Sequence, residues 1–193
     1  MELVQTAAMK PPTEFHRQFF DREVVQVARD LVGVGLTVDG CGGMIVETEA
    51  YRFDDAAAHS FSGPTLRNKS MFGPPGHAYV YRSYGMHWCL NFVCRRGCAV
   101  LIRALEPISG IPLMMARRDC QKVALLCAGP GRLTRALGVN SSHDGMDLLA
   151  LPFELSAGLS AEIIEGRRIG ISKAAQHPWR FGAKNSAFLS RKF

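Results

Sequence analysis

The segment Met44–Tyr51, MIVETEAY, constrains the fold more than any other. It is an apolar, β-branched run with Glu47 and Glu49 set into it. Alternate side chains of a strand share a face, so Glu47, Glu49 and Tyr51 point one way, with Ile45 behind them. Two carboxylates on one otherwise apolar face repel each other. Repulsion and partial burial raise at least one pKa, and such a carboxylate suits general-base work. The bland reading also stays open: one glutamate pairs with an arginine and the other faces solvent.

The flanking sequence supplies the rest of a sheet. A helix is expected from Asp21, an N-cap residue with Glu23 in its first turn, to the C-cap glycine Gly33. Val24, Val25, Val27, Ala28, Leu31 and Val32 form its apolar face. A strand over Gly35–Val38, the turn Asp39-Gly40-Cys41-Gly42-Gly43 and a strand over Met44–Tyr51 read as a hairpin. Residues 52–76 read as loop, broken by Gly63-Pro64 and Gly73-Pro74-Pro75-Gly76. A long irregular stretch inside a compact domain is often functional. Strands follow at His77–Arg82 and Met86–Val93, around Ser83-Tyr84-Gly85, and at Ala99–Ala104, ending by Glu106-Pro107. Residues 111–121 and 131–137 read as helices. Later strand candidates are Met146–Leu151, Glu162–Glu165 and Arg168–Ile171.

The 193 residues, 47% hydrophobic and 21% charged, suit one globular domain. Residues 1–13, ended by Pro11-Pro12, read as a flexible arm, and residues 14–193 as the domain. No apolar run approaches the ~18 residues of a membrane helix, and no secretory leader is visible. The six cysteines include one close pair, Cys94 and Cys98, with no second pair and no histidine at finger spacing. They read as buried free thiols in a reducing cytosol, and no metal or cofactor is expected.

Charge gives the first functional hint. The net charge is +6, and between Ala56 and Leu105 there is no carboxylate. Arg67, Lys69, Arg82, Arg95, Arg96 and Arg103 all fall in that stretch. From Gly166 onward there are seven bases and again no acid. Such a surface draws nucleic-acid phosphates. A basic enzyme with no nucleic-acid partner fits the charge equally well.

The chemical residues concentrate between 47 and 103. All four tyrosines, Tyr51, Tyr79, Tyr81 and Tyr84, lie there. Tyr84 sits at a hairpin tip, where a core tyrosine has no reason to be and a duplex wedge does. Tyr79 reads as sheet packing. Facing tyrosines suit stacking on a base. Asn91 and Arg103 each interrupt an apolar strand. A buried asparagine needs hydrogen bonds, and a buried arginine needs an anion, for which Glu47 or Glu49 is the obvious candidate. There is no P-loop, no dinucleotide glycine motif, no nucleophile elbow, no HExxH and no deaminase zinc signature.

Read together, these segments resemble the alkyladenine DNA glycosylase family, also called the 3-methyladenine or methylpurine glycosylases. The resemblance rests on IVETEAY at 45–51, AAHS at 57–60, P-x-x-R-N at 64–68 and MF at 71–72. It continues through YVY at 79–81, YGM at 84–86, LN at 90–91 and LIRALEP at 101–107. LCAGPGRLTRALGV at 126–139 and PWRF at 178–181 complete it. It spans the chain from about Phe19 onward.

The resemblance implies an enzyme that binds duplex DNA, flips a damaged purine into a pocket and cleaves its N-glycosidic bond with water. The substrate class would be 3-methyladenine, 7-methylguanine, hypoxanthine and ethenoadenine. Glu49 would be the general base and Arg103 would help hold carboxylate and water. Tyr51 and His59 would form one wall of the base pocket and Tyr81 the opposite stacking face. Asn91 would disfavour the amino group of normal guanine. Tyr84 would fill the gap left by the flipped base, with Met86 beside it. After PWRF the family has a bulkier pair, where this chain has Gly182-Ala183. The Ala183 carbonyl would help hold the water, in a wider pocket.

No lysine falls in the chemical segments, so no lyase step is expected. The resemblance also implies an α+β fold: one compact domain on a curved, mostly antiparallel sheet with peripheral helices and a protruding hairpin. The expected protein is a monomer without a membrane partner, cytoplasmic in a bacterium or nuclear in a eukaryote. Two other classes stay open. One is a non-catalytic binder of damaged DNA, and the other a hydrolase of small nucleosides.

Overall fold

The strand that carries both glutamates is the centre of the molecule. In the computed structural model, which describes residues 14–193, it runs from Cys41 to Tyr51 as β2. The expected arm, residues 1–13, lies outside the described residues. In chain order come helices α1 (Arg17–Phe20) and α2 (Val24–Asp30), then β1 (Gly35–Val38), β2, β3 (Ala78–Ser83), β4 (His87–Val93) and β5 (Ala99–Ser109). Helices α3 (Ile111–Arg118), α4 (Val123–Leu126) and α5 (Pro130–Leu137) follow, and β6 (Phe153–Ser156), β7 (Ile163–Gly166) and β8 (Arg180–Ala183) finish the fold. The strands form one curved antiparallel sheet in the order β3-β4-β5-β2-β1-β6, with β8 pairing β2 and β7. The fold is α+β, as expected.

β2 has β5 along one edge and two short partners in turn: β1 at Cys41–Met44 and β8 at Glu47–Glu49. The strand starts three residues earlier than expected because the turn is only Asp39-Gly40, both at positive φ. That is the favoured two-residue hairpin geometry. Gly42 and Gly43 therefore pair in the sheet instead of turning. A Cβ on Gly43 would lie 1.9 Å from the Glu106 carbonyl oxygen, so only glycine lets β5 approach there.

The apolar side of the sheet packs on the helices. Phe20, Leu31, Phe92, Ile102, Leu105, Leu133 and Leu137 are among its buried residues. Each such side chain contributes ~1.5–3 kcal/mol of burial. On the opposite side a smaller cluster joins Ala58, Met71, Tyr79, Val93 and Ala99, with Tyr51, Phe72 and Tyr81 against it. The site is built on this second side. The six cysteines are free, and all but the half-exposed Cys120 are buried.

Several expected elements shift for local reasons. Glu23, not Asp21, caps α2: its carboxylate accepts the Val25 and Gln26 N–H groups at 2.9 and 3.1 Å. Asp21 instead closes α1. β5 runs on through Pro107, which is tolerated beside a register shift opposite Gly42 and Gly43. Met146–Leu151 is no strand, because Asp147 takes the Leu149 N–H on its own side chain at 3.0 Å and turns the chain. Arg168–Ile171 is no strand either; it is held by side-chain bonds described below. β6 and β8, which the sequence did not suggest, are four-residue strands that exist by pairing.

Candidate active site

Two β-bulges aim the site. On β2, Ile45 pairs Leu105 and Glu47 pairs Ala104, so Val46 is an extra residue. One step on, Glu47 pairs Ala104 and Thr48 pairs Ile102, so Arg103 is the extra residue on β5. A bulge shifts the in–out alternation by one. Ile45 therefore stays in the helix-side core, while Thr48 donates its hydroxyl to the Ala28 carbonyl of α2 at 2.7 Å. Glu47, Glu49 and Tyr51 turn to the other side. The expectation that Ile45 stands behind them is thus corrected: the bulge at Val46 separates it from their face.

Arg103 lies between the two carboxylates. Its Nε donates to Glu47 Oε1 at 3.0 Å, and its Nη1 pairs with Glu49 Oε1 at 3.2 Å. Glu47 is closed off on all sides. Its Oε1 also accepts from Arg180 Nε at 2.7 Å and from the Ser190 hydroxyl at 2.8 Å, and its Oε2 accepts the Ser190 N–H at 2.6 Å. Glu49 is held more loosely. Oε1 accepts the Ile169 N–H at 2.7 Å, and Oε2 accepts the Tyr51 hydroxyl at 2.8 Å. Oε2 has that one partner among the described residues, which leaves it acceptor capacity.

Burial raises the Glu49 carboxyl above its ordinary value of 4.5, against the lowering pull of Arg103, the Ile169 N–H and Tyr51; Glu47 adds to the rise. Burial also works against the Arg103 charge, but Glu49 and Glu47 more than offset it. The Tyr51 hydroxyl is pushed up by burial and by Glu49, so it stays a donor.

In front of this pair opens a cavity of about 490 Å³. Tyr51, His59, Tyr81, Asn91 and Arg103 all line it, as does Tyr84 at its rim. Glu49 does not line it. The carboxylate is fully buried one layer behind, bonded to Tyr51, Arg103 and Ile169, which do. His59 bonds the Tyr79 hydroxyl through Nδ1 at 2.9 Å and meets Tyr81 edge to face at 4.5 Å. The two expected walls therefore touch at that end. Burial pushes His59 below its ordinary 6.5, so the ring is neutral at pH 7. The Asn91 amide donates to the Tyr79 and Cys89 carbonyls at 3.0 and 3.4 Å, which leaves Oδ1 as its acceptor. Tyr79, read from the sequence as packing, is buried and also lines the cavity.

Tyr84 and Met86 sit at the β3–β4 turn, 84% and 69% exposed. Tyr84 and Gly85 both have positive φ, 48° and 68°. That conformation is unfavourable for a bulky residue, and strain of this kind clusters at functional sites. Ala183 does not join the others. It lies on β8 away from the cavity, and its carbonyl accepts the Ser186 N–H at 3.2 Å. The expected water-holding role of Ala183 is corrected on that geometry.

The segment that does reach Glu49 is Arg168–Ile171, whose Ile169 and Gly170 line the cavity. Sequence reasoning also missed Arg180 and Ser190. A buried glutamate pair demands more than one cation, and the acid-free basic stretch after Gly166 was the available signal. Among the described residues no group of His, Cys, Asp or Glu is placed to hold a metal ion.

The family model described as methylpurine-DNA glycosylase (MPG) matches residues 18–187, from α1 through β8 and every cavity residue named above. The chain belongs to the methylpurine-DNA glycosylase family. Relatives agree along the same length. A protein of Rhizobium meliloti (strain 1021) is 57% identical over 176 residues, covering 91% of this chain and 95% of the relative. One of Rhodopseudomonas palustris (strain BisB18) is 56% identical over 191 residues, covering 97% and 96%. One of Nitrosospira multiformis is 56% identical over 178 residues, covering 90% and 92%. All three are provisionally named 3-methyladenine DNA glycosylases. In this methylpurine-DNA glycosylase family member the buried glutamates, the aromatic cavity and the exposed Tyr84 all lie within the matched stretch.

Proposed function

We propose that the chain is a monofunctional glycosylase that removes alkylated or deaminated purines from duplex DNA and leaves an abasic site. The class includes 3-methyladenine, 7-methylguanine, hypoxanthine and ethenoadenine. The observation that carries this reading is Glu49: a buried carboxylate whose three bonding partners all line an aromatic cavity. Family membership supplies the coarse activity, a DNA glycosylase of base excision repair.

In this reading Tyr84 enters the duplex as the damaged nucleotide leaves it. Extrusion costs a few kcal/mol, least for a damaged or mismatched pair, and this favours lesions. The base stacks among Tyr51, His59 and Tyr81. An alkylated purine that carries positive charge gains further from those ring faces. Asn91, buried in the cavity lining, keeps Oδ1 as an acceptor that discriminates among purine edges. Glu49 accepts a water on Oε2, orients it and takes its proton as the bond to the sugar breaks. The sugar develops positive charge, which the carboxylate stabilises. Arg103 keeps the carboxylate in place. No lysine lines the cavity among the described residues, and the reading includes no imine step. The chain acts as a monomer on damaged DNA.

The test is release of free bases from methylated duplex DNA by wild type and Glu49→Gln side by side. Methylated purines are released by wild type and not by the variant. Release by both moves the base elsewhere. Release by neither, with damaged-duplex binding intact, means a non-catalytic binder.

A further inference from the structure

A second buried ion pair, Asp55–Arg168, has no part in the chemistry above, and both its side chains are 0% exposed. It joins two segments that line the cavity, the His59 loop and the Arg168–Ile171 segment. Asp55 opens the loop that carries Ala57 and His59; its Oδ1 accepts the Ala57 N–H at 3.0 Å and its carbonyl accepts the Ala58 N–H at 2.8 Å. Arg168 belongs to the opposite segment. Its Nη1 bonds Asp55 and also donates to the Ala50 carbonyl at 2.9 Å, between Glu49 and Tyr51. Its Nη2 donates to the Ala174 carbonyl at 3.3 Å, and its guanidinium lies 4.7 Å from the Tyr51 ring centroid.

The next residue along is Ile169, whose N–H holds Glu49. No backbone–backbone hydrogen bond joins residues 167–173 to the rest of the described chain. The place of that N–H therefore depends on the Arg168 side chain. We propose that Arg168 is a positioning residue: latched to Asp55 and the Ala50 carbonyl, it sets the Ile169 N–H on Glu49 and ties that segment to the His59 loop. The proposal rests on the reading of Glu49 as the base.

Arginine is suited to this task and lysine is not. Its planar fork reaches the Asp55 carboxylate and two carbonyls while it lies near an aromatic face. Lysine keeps the charge opposite Asp55 but loses the fork. The groups around Glu49 are Arg103 from β5, Tyr51 and Glu47 from β2, Cys89 from β4 and the Ile169 N–H. Of these, Arg168 sets the Ile169 N–H and lies against the Tyr51 ring, and both of those groups hold the Glu49 carboxyl down. Loosening the latch removes one influence that holds the Glu49 carboxyl down, so it titrates higher and the acid limb of the reaction moves up.

The experiment is a carbon-13 NMR titration of full-length protein labelled at glutamate, with Glu49 assigned from Glu49→Gln. Wild type is compared with Arg168→Lys and Asp55→Asn, and single-turnover base release is followed against pH. Glu49 titrates higher in Arg168→Lys by roughly one pH unit. The acid limb of base release moves with it, the plateau rate falls about tenfold, and binding to undamaged duplex is unchanged.

Asp55→Asn covers the case in which Arg168→Lys does not fold, and it carries its own sign check. Removing a negative charge lowers a neighbouring carboxyl by charge alone, so a higher Glu49 titration in Asp55→Asn comes only from displacement. An unmoved or lower titration in the folded variants overturns the proposal, as does a rate loss that tracks thermal stability with a fixed acid limb. If wild type releases no base while the titration still moves, the glycosylase reading falls and the latch stands.

Discussion

Glu47 and Glu49 leave the same strand on the same side and share one arginine, yet they are built for different work. Glu47 lies between two guanidiniums and is capped by the Ser190 N–H and hydroxyl. Glu49 shares a single cation and is otherwise held by one backbone N–H and one phenol, one layer behind the wall of a cavity. The first environment ties both carboxylate oxygens to fixed donors; the second keeps a carboxylate expensive to ionise and bonded to residues that line the cavity. Two like groups held so differently are suited to different roles. Glu47 does its part through Arg103, which it holds from behind so that Nη1 faces Glu49.

The largest effect that could break this division is on chemistry. Glu49→Gln lowers single-turnover base release by about a thousandfold, within the range for loss of a general base. Its melting temperature at pH 7 is no lower than that of wild type. A Glu49→Gln enzyme that keeps its rate, beside a folded Glu47→Gln enzyme that loses it, reverses the assignment.

The next effect is on stability and falls on the other carboxylate. Glu47→Ala leaves Arg180 buried without its anion and Arg103 with Glu49 alone, and breaking such a cluster costs about 3–5 kcal/mol. Urea denaturation monitored by tryptophan fluorescence measures it. A loss under about 1 kcal/mol would mean that Glu47 is an ordinary exposed-type pair and not the keystone.

How much of this was legible in the sequence follows from what each feature depends on. Glu47, Glu49 and Arg103 stood out because charge interrupts apolar strands, and that is a local signal. The bulges at Val46 and Arg103 did not, because a bulge belongs to the pairing of two strands and alternation within one is blind to it. β8 is four residues with a glycine inside, and only its two neighbours make it a strand. Arg180 and Ser190 reach Glu47 across more than 130 residues, which no spacing rule predicts. Ala183 was placed from the resemblance alone, and the register puts it beyond Glu47, away from the cavity.

The two tight hairpins show the same limit from the other side. Asp39-Gly40 and Tyr84-Gly85 adopt the same pair of positive φ values, 48° and 74° against 48° and 68°. Asp-Gly is the sequence that turn prefers, and Tyr-Gly is not. Tyr84 stood out in the sequence because a core tyrosine has no reason to sit at a hairpin tip; the strained backbone is visible only in the structure.

A smaller effect lies in the pH dependence that Glu49 gives to stability. The folded protein holds the Glu49 proton more tightly than the unfolded chain, since burial raises that carboxyl above 4.5. The native state then binds more protons, and stability falls as pH rises from 4.5 toward the raised value. Glu49→Gln removes that slope, and thermal melts from pH 4 to pH 8 show a flatter profile than wild type. An unchanged slope would place Glu49 among the ordinary paired carboxylates.

The smallest effect sharpens the comparison most, because it touches one side alone. The Ser190 hydroxyl donates to Glu47 at 2.8 Å and accepts from Arg103 Nη2 at 3.2 Å, and it makes no bond to Glu49. Ser190→Ala deletes both bonds but keeps the backbone N–H on Glu47 Oε2. The expected cost is about 1 kcal/mol of stability, the usual worth of one side-chain hydrogen bond. Arg103 keeps its bond to Glu47 and its ion pair with Glu49, so base release changes only severalfold and its acid limb stays in place. A shifted acid limb would show that the two carboxylates communicate through Arg103 strongly enough to be one unit. A fixed limb with the stability loss shows that the strand carries a clamp and a reactive group side by side, coupled only by position.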